Sequence, residues 1–166
     1  MKISLKPFTT KISSAVAACI VFTSISSYAD DDWDEFEDEV KKELRSKDVE
    51  KQISALGGFV THDHEEGGEF LVKFTYKERK NASVADAAGK ILGKFKNPET
   101  RELIQKYVTR SPGACLPLLS AYFAQPGPDT QDFALKIVGK SGSKSPELTQ
   151  AVMHLGNYPS DDPKIL

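Results

Sequence analysis

Cysteine is almost missing from this chain: two residues in 166, Cys19 and Cys115. Only Cys115 lies outside the N-terminal segment, so no intramolecular disulfide is expected and the fold must rest on its core. Tryptophan occurs once, at Trp33, and histidine three times, at His62, His64 and His154. The one long apolar run, from about Ala15 to Ile25, is too short to span a bilayer. The glycine-bearing stretches, Gly67-Gly68 and Gly139 to Ser143, carry no phosphate-loop pattern and read as turns. Lysine and arginine are scattered, so there is no nucleic-acid footprint.

The first 29 residues read as a secretory signal peptide. Lys2, Lys6 and Lys11 precede the apolar run, and Ser27-Tyr28-Ala29 supplies small residues for cleavage after Ala29. An alternative places a lipid anchor on Cys19, because Val16-Ala17-Ala18-Cys19 resembles a bacterial lipobox. That alternative leaves a feeble apolar run before the cysteine. Export by the first route implies a periplasmic or secreted protein. Removing residues 1–29 takes away three lysines and no acid, leaving a net charge of −5. The remaining 137 residues suit one domain with a sizeable core.

Charge is distributed unevenly. Residues 30–39, DDDWDEFEDE, hold eight acids and no base, whereas residues 40–166 carry a net +3. Trp33, Phe36, Val40 and Leu44 recur at helical spacing, so residues 30–46 are expected to form an acidic amphipathic helix. It either caps the domain or docks by Trp33 and Phe36 onto a partner. Asp48 then caps a short helix with Val49, Ile53 and Leu56 on its apolar face. In residues 59–77 the period changes. Phe70, Val72, Phe74 and Tyr76 alternate with other residues, which predicts a β-hairpin pairing 59–61 with 70–77 across a loop at Glu66-Gly67-Gly68. A further helix starts near Asn81, with Ala85, Ala88, Ile91, Leu92 and Phe95 on one side.

The last sixty residues before the tail repeat themselves. Aligning 98–127 with 128–157 gives seven identities in thirty, among them Pro98 with Pro128, Thr100 with Thr130 and Lys106 with Lys136. A period of this size marks a stacked array. Each unit reads as two short helices, with a proline opening the first and another near the start of the second. The expected inner residues are Leu103, Ile104, Tyr107, Val108, Leu118, Leu119, Tyr122 and Phe123 in one unit. In the other they are Phe133, Ala134, Ile137, Val138, Leu148, Ala151, Val152 and Leu155. Residues 158–166 read as an irregular tail.

These features resemble the short HEAT-like repeats named after phycobilin lyases. The matching residues are the Asn-Pro-Glu-Thr-Arg opening at 97–101, Gly-Pro-Asp-Thr-Gln at 127–131, and the proline that begins each second helix. Residues 48–58 and 83–95 look like degenerate copies, so the resemblance covers roughly 48–157. It implies a mostly α fold, a short α-solenoid of helical pairs with the hairpin inserted. It implies protein recognition most often, and action on tetrapyrroles in a few members, but no catalytic motif of such members is found here.

Two sites could carry chemistry. His62-Asp63-His64-Glu65-Glu66 offers ligand types for zinc or a similar ion, with His62, His64 and Asp63 as candidates, but a third or fourth ligand would have to come from elsewhere. The same cluster also reads as a solvated loop. Cys115 falls opposite the capping residue Ser145 in the repeat and reads as a cap or a small buried residue rather than a nucleophile. Lys106, Arg110, Lys136 and Lys140 recur at the repeat period on first-helix positions expected to be exposed, together with Arg101 and Gln131. The sequence thus points to a non-enzymatic scaffold or adaptor without a cofactor. Its expected partner-binding residues are Trp33, Phe36, Lys106, Arg110, Lys136 and Lys140. A metal- or small-ligand-binding protein using residues 62–66 is the alternative.

Overall fold

A computed structural model describes residues 32–157 apart from 141 and 143. The signal-peptide and Cys19 readings and the irregular tail lie outside the described residues. Among those, the secondary structure is helical: residues 32–44 (α1), Val49–Leu56 (α2), Glu65–Lys77 (α3), Ala82–Leu92 (α4), Pro98–Arg110 (α5), Leu116–Phe123 (α6), Pro128–Lys140 (α7) and Pro146–Asn157 (α8). Short 3₁₀ turns cover Gly57–Thr61 and Pro112–Ala114. No helix among the described residues is long and apolar enough to cross a membrane.

The chain divides between Glu39 and Val40 into two units. In the first, Trp33 is buried and Phe36 half-buried, with ring centroids 5.7 Å apart. The second holds the packed core. Within it α3 packs on α4 and α5, α5 on α6, and α7 on α8, while α4, α6 and α8 lie successively against one another. Leu71, Val72, Val84, Leu92, Ile104, Leu118, Leu119 and Tyr122 are wholly enclosed there.

The hairpin expected at 59–77 is not formed. Phe59 to Thr61 close a 3₁₀ turn, and residues 65–77 are helix α3. A contiguous apolar run satisfies two periods at once. The strand period selected Phe70, Val72, Phe74 and Tyr76, whereas the buried positions are Gly67, Gly68, Leu71, Val72 and Thr75, the pattern of one helical face. Local signals agree with the helix: Glu65 and Glu66 lie in its first turn and Lys77 in its last, which suits the helix dipole. Gly67 and Gly68 are therefore not turn residues. A Cβ on Gly68 would strike the Thr100 hydroxyl, and one on Gly67 would strike the His62 carbonyl oxygen. Hydrogen in place of a side chain lets α3 approach α5 closely. Gly89 plays the same part between α4 and α6, where a Cβ would come to 2.6 Å from the Pro117 carbonyl oxygen.

The caps show how the two repeat units solve one problem with different residues. Asn97 caps α5, its side chain accepting from the Thr100 N–H at 2.9 Å. The equivalent Gly127 has no side chain. Thr130, from inside α7, accepts from the Gly127 N–H at 2.8 Å. At the second helices, the Ser145 hydroxyl accepts from the Leu148 N–H at 3.4 Å. Cys115 makes no such cap; its thiol points inward instead.

The buried stripes are partly as expected. Leu118, Leu119, Tyr122, Phe123, Ile104, Val108, Ala134, Ile137 and Ala151 are buried. Val138 and Val152 are not, at 40% and 53% exposed, and His154 occupies the inner face of α8. Its ring stacks on Phe123 with centroids 4.6 Å apart and planes at 15°. On α2, Val49 and Ile53 are likewise exposed, and Leu56 alone of the expected three is enclosed.

Candidate functional site

The densest polar cluster, residues 62–66, spans the junction between the Gly57–Thr61 turn and α3. His64 is the N-cap residue of α3, and the Gly67 N–H lies 3.4 Å from its Nδ1. The same nitrogen is 3.1 Å from Glu66 Oε2. The first contact needs Nδ1 as acceptor and the second needs it protonated, so the tautomer selects between them. Asp63 is engaged more firmly. Its Oδ2 accepts from the Lys96 N–H at 2.7 Å and its Oδ1 from the Asn97 N–H at 3.1 Å. This carboxylate ties the start of α3 to the start of α5 across more than thirty residues of sequence. His62 and His64 meet edge to face, centroids 5.7 Å apart. Among the described residues, no group of three or more His, Cys, Asp or Glu side chains is arranged to hold a metal ion. The geometry gives the cluster a joining role.

Cys115 is buried, and its thiol donates to the Thr75 carbonyl oxygen at 3.8 Å. Burial pushes its pKa up, against a smaller opposing effect of the Leu118 N–H. A reactive cysteine requires the reverse shift, so this thiol is a packing element joining α3 to α6.

The four basic residues expected on first helices are all exposed, Lys106 and Arg110 on α5, Lys136 and Lys140 on α7. Lys106 and Arg110 border a depression of about 350 Å³ between α3 and α5 that also includes Tyr76, Leu103 and Tyr107. The Tyr76 and Tyr107 rings are 5.0 Å apart, and the Arg79 guanidinium lies over Tyr76 at 4.5 Å. The other end of the α3–α5 groove is mostly acidic, lined by Glu65, Glu69, Glu99 and Glu102 around Lys106.

Arg101 does not belong to the exposed strip. Its Nη2 lies 2.8 Å from each carboxylate oxygen of Asp129, and the Tyr122 hydroxyl donates to Asp129 Oδ2 at 2.9 Å. Arg101 comes from α5, Tyr122 from α6 and Asp129 is on α7, so one carboxylate holds three helices. The Arg101 guanidinium holds the Asp129 carboxyl below the usual carboxylate range. Tyr122 is pushed up by its burial first and then by the Asp129 carboxylate.

One basic and aromatic surface escaped the sequence reasoning. Leu44 near the end of α1 and Phe70 and Phe74 of α3 border a depression of about 370 Å³ flanked by Lys41, Arg45, Lys73 and Lys77. The assignment of 70–77 as a strand placed Phe70 and Phe74 on one face of a sheet. The helical spacing of four in Phe70/Phe74 and Lys73/Lys77 was the signal that could have found it.

No family model, curated protein or solved structure matches this chain.

Proposed function

We propose that this protein is an exported, non-enzymatic adaptor that binds another protein through a short HEAT-like array of helical pairs. The observation that carries the reading is the packing of α3/α4, α5/α6 and α7/α8 as successive pairs, with α4, α6 and α8 in lateral contact. Such an array presents the same positions of each pair at regular intervals. Lys106 and Arg110 on α5 and Lys136 and Lys140 on α7 are the repeated exposed cations, and they form the contact surface for an acidic partner. The signal-peptide pattern of residues 1–29 supports export to the periplasm or beyond. Buried Cys115 and structurally engaged Asp63 favour binding over catalysis.

The test is crosslinking in the native periplasm with the wild-type chain and a variant carrying Lys106→Glu, Arg110→Glu, Lys136→Glu and Lys140→Glu. A discrete crosslinked product should form with the wild type and be lost in the variant. A product of unchanged yield in the variant removes the strip from the mechanism, and no product at all removes the adaptor reading.

A further inference from the structure

We propose that the groove between the last turn of α1 and α3 docks an acidic amphipathic helix of a partner protein, its apolar side chains on Phe70 and Phe74 and its carboxylates on the flanking cations. This rests on the reading that the protein works by binding another protein, and it assigns a surface separate from the α5–α7 strip.

The floor of the groove is aromatic and ordered. Phe70 and Phe74 are one helical turn apart, with planes within 8° of parallel and centroids 6.4 Å apart. Phe70 stacks in turn on buried Phe59, centroids 5.3 Å apart, which fixes its orientation. Both rings remain half-exposed, and Leu44 completes the floor. A volume of about 370 Å³ is enough for a few apolar side chains.

The walls select the charge. Lys73 and Lys77 come from α3, and Lys41 and Arg45 from the end of α1 and the residue after it, each pair spaced by four residues. An α-helix rises about 6 Å over four residues, so carboxylates at the same spacing on an incoming helix meet each pair in register. The lining itself carries four cations and one acid. Glu78 borders the groove, and Glu69 holds Lys73 at 2.6 Å. That pair is solvent-exposed, so exchanging Glu69 for a partner's carboxylate costs little. Apolar anchors in a groove with charges along both edges are the pattern of helix-in-groove recognition. A flat anionic membrane fits less well, because its apolar interior would have to reach a floor set between two rows of cations.

The experiment titrates the full chain into a fluorescein-labelled synthetic peptide of about fourteen residues, long enough to form a helix on docking. The peptide carries Phe and Leu four positions apart and Glu along both flanks. Binding should be micromolar and weaken with added salt. Lys73→Glu with Lys77→Glu, exposed changes that leave the far-ultraviolet circular dichroism intact, should weaken it at least tenfold. A peptide with Lys in place of the flanking Glu should not bind, and one with Ser in place of Phe and Leu should bind at least tenfold more weakly. The absence of binding to the first peptide, or equal binding of all three, overturns the proposal. So does recruitment of the protein by phosphatidylglycerol vesicles that depends on Lys73 and Lys77 while the peptide is ignored. The variant reversed at Lys106, Arg110, Lys136 and Lys140 should still bind the peptide. Peptide failure beside strip-dependent crosslinking sinks the groove and leaves the adaptor reading; peptide binding beside a crosslink of unchanged yield in that variant keeps the groove and removes the strip.

Discussion

Removing the Asp129 carboxylate should loosen the junction of α5, α6 and α7 more than its surface position suggests. Asp129 and Arg101 are each about one-third exposed, at 38% and 32% of side-chain area. An ion pair of that exposure contributes on the order of 1 kcal/mol or less. Tyr122 changes the balance. It is wholly buried, and its hydroxyl donates to Asp129 Oδ2 at 2.9 Å. Leaving a buried hydroxyl without its acceptor costs about 1–3 kcal/mol. Asp129→Ala should therefore destabilise by about 1–3 kcal/mol, most of it from the hydroxyl, which keeps only the Gln105 side chain beside it. Asp129→Asn keeps an oxygen acceptor and loses the charge, so it should cost about 1 kcal/mol. In the Tyr122→Phe background no hydroxyl remains to be stranded, and Asp129→Ala should fall to about 1 kcal/mol or less. Urea unfolding of the four proteins, closed as a double-mutant cycle, measures the coupling directly. The pH dependence has a defined sign. Asp129 has a lowered folded pKa, so its stabilisation is present above the unfolded carboxyl value of about 3.9 and is lost as pH falls through the lower folded value. Equal losses for Asp129→Ala in the wild-type and Tyr122→Phe backgrounds would refute the reasoning, because the hydroxyl would then be carrying nothing.

Three further outcomes follow from packing and burial. Gly68→Ala should destabilise by about 1–3 kcal/mol through overpacking against Thr100, and Thr100→Ala in the same chain should restore part of the loss in thermal melts. His154 has a lowered pKa because burial disfavours its charged form, partly offset by the Phe123 backbone. The native state thus binds fewer protons than the unfolded chain, and stability should be full above about pH 6.5 and fall as pH drops through that unfolded value. His154→Phe should flatten that part of the stability–pH curve. The Cys115 thiol, buried and with a raised pKa, should react with a disulfide reagent far more slowly in the native chain than in urea. Rapid native labelling would contradict its placement between α3 and α6.

Much of the helical framework was legible. Pro98 and Pro128 at the first positions of α5 and α7 and Asp48 as a cap are local signals whose chemistry is completed within a few residues. Those needed no knowledge of the rest of the chain. The apolar stripe of α6 was equally plain, because nearly every position in that helix is buried. The misreading of residues 59–77 arose where the local signal was ambiguous. Phe70-Leu71-Val72 fits both a strand and a helix, and two glycines favour a turn until a neighbour is known. The candidate sites were legible as residue types and not as roles. Asp63 looks like a ligand among histidines, yet its partners are the N–H groups of Lys96 and Asn97. Arg101 looks like a strip cation, yet it is held by Asp129.

The sequence by itself determined that the described chain is mostly helical, where most of its helices begin, and that residues 98–157 repeat at thirty. Those properties depend on hydrogen bonds and side-chain periods closed within a turn or two. Only the tertiary structure decided that Gly67 and Gly68 sit inside α3, that His154 faces Phe123, and that Asp129 joins α5, α6 and α7. Each of these depends on what lies across the interface. A missing side chain reads as a break until Thr100 is placed against it, and a carboxylate reads as solvated until a buried hydroxyl is found pointing at it.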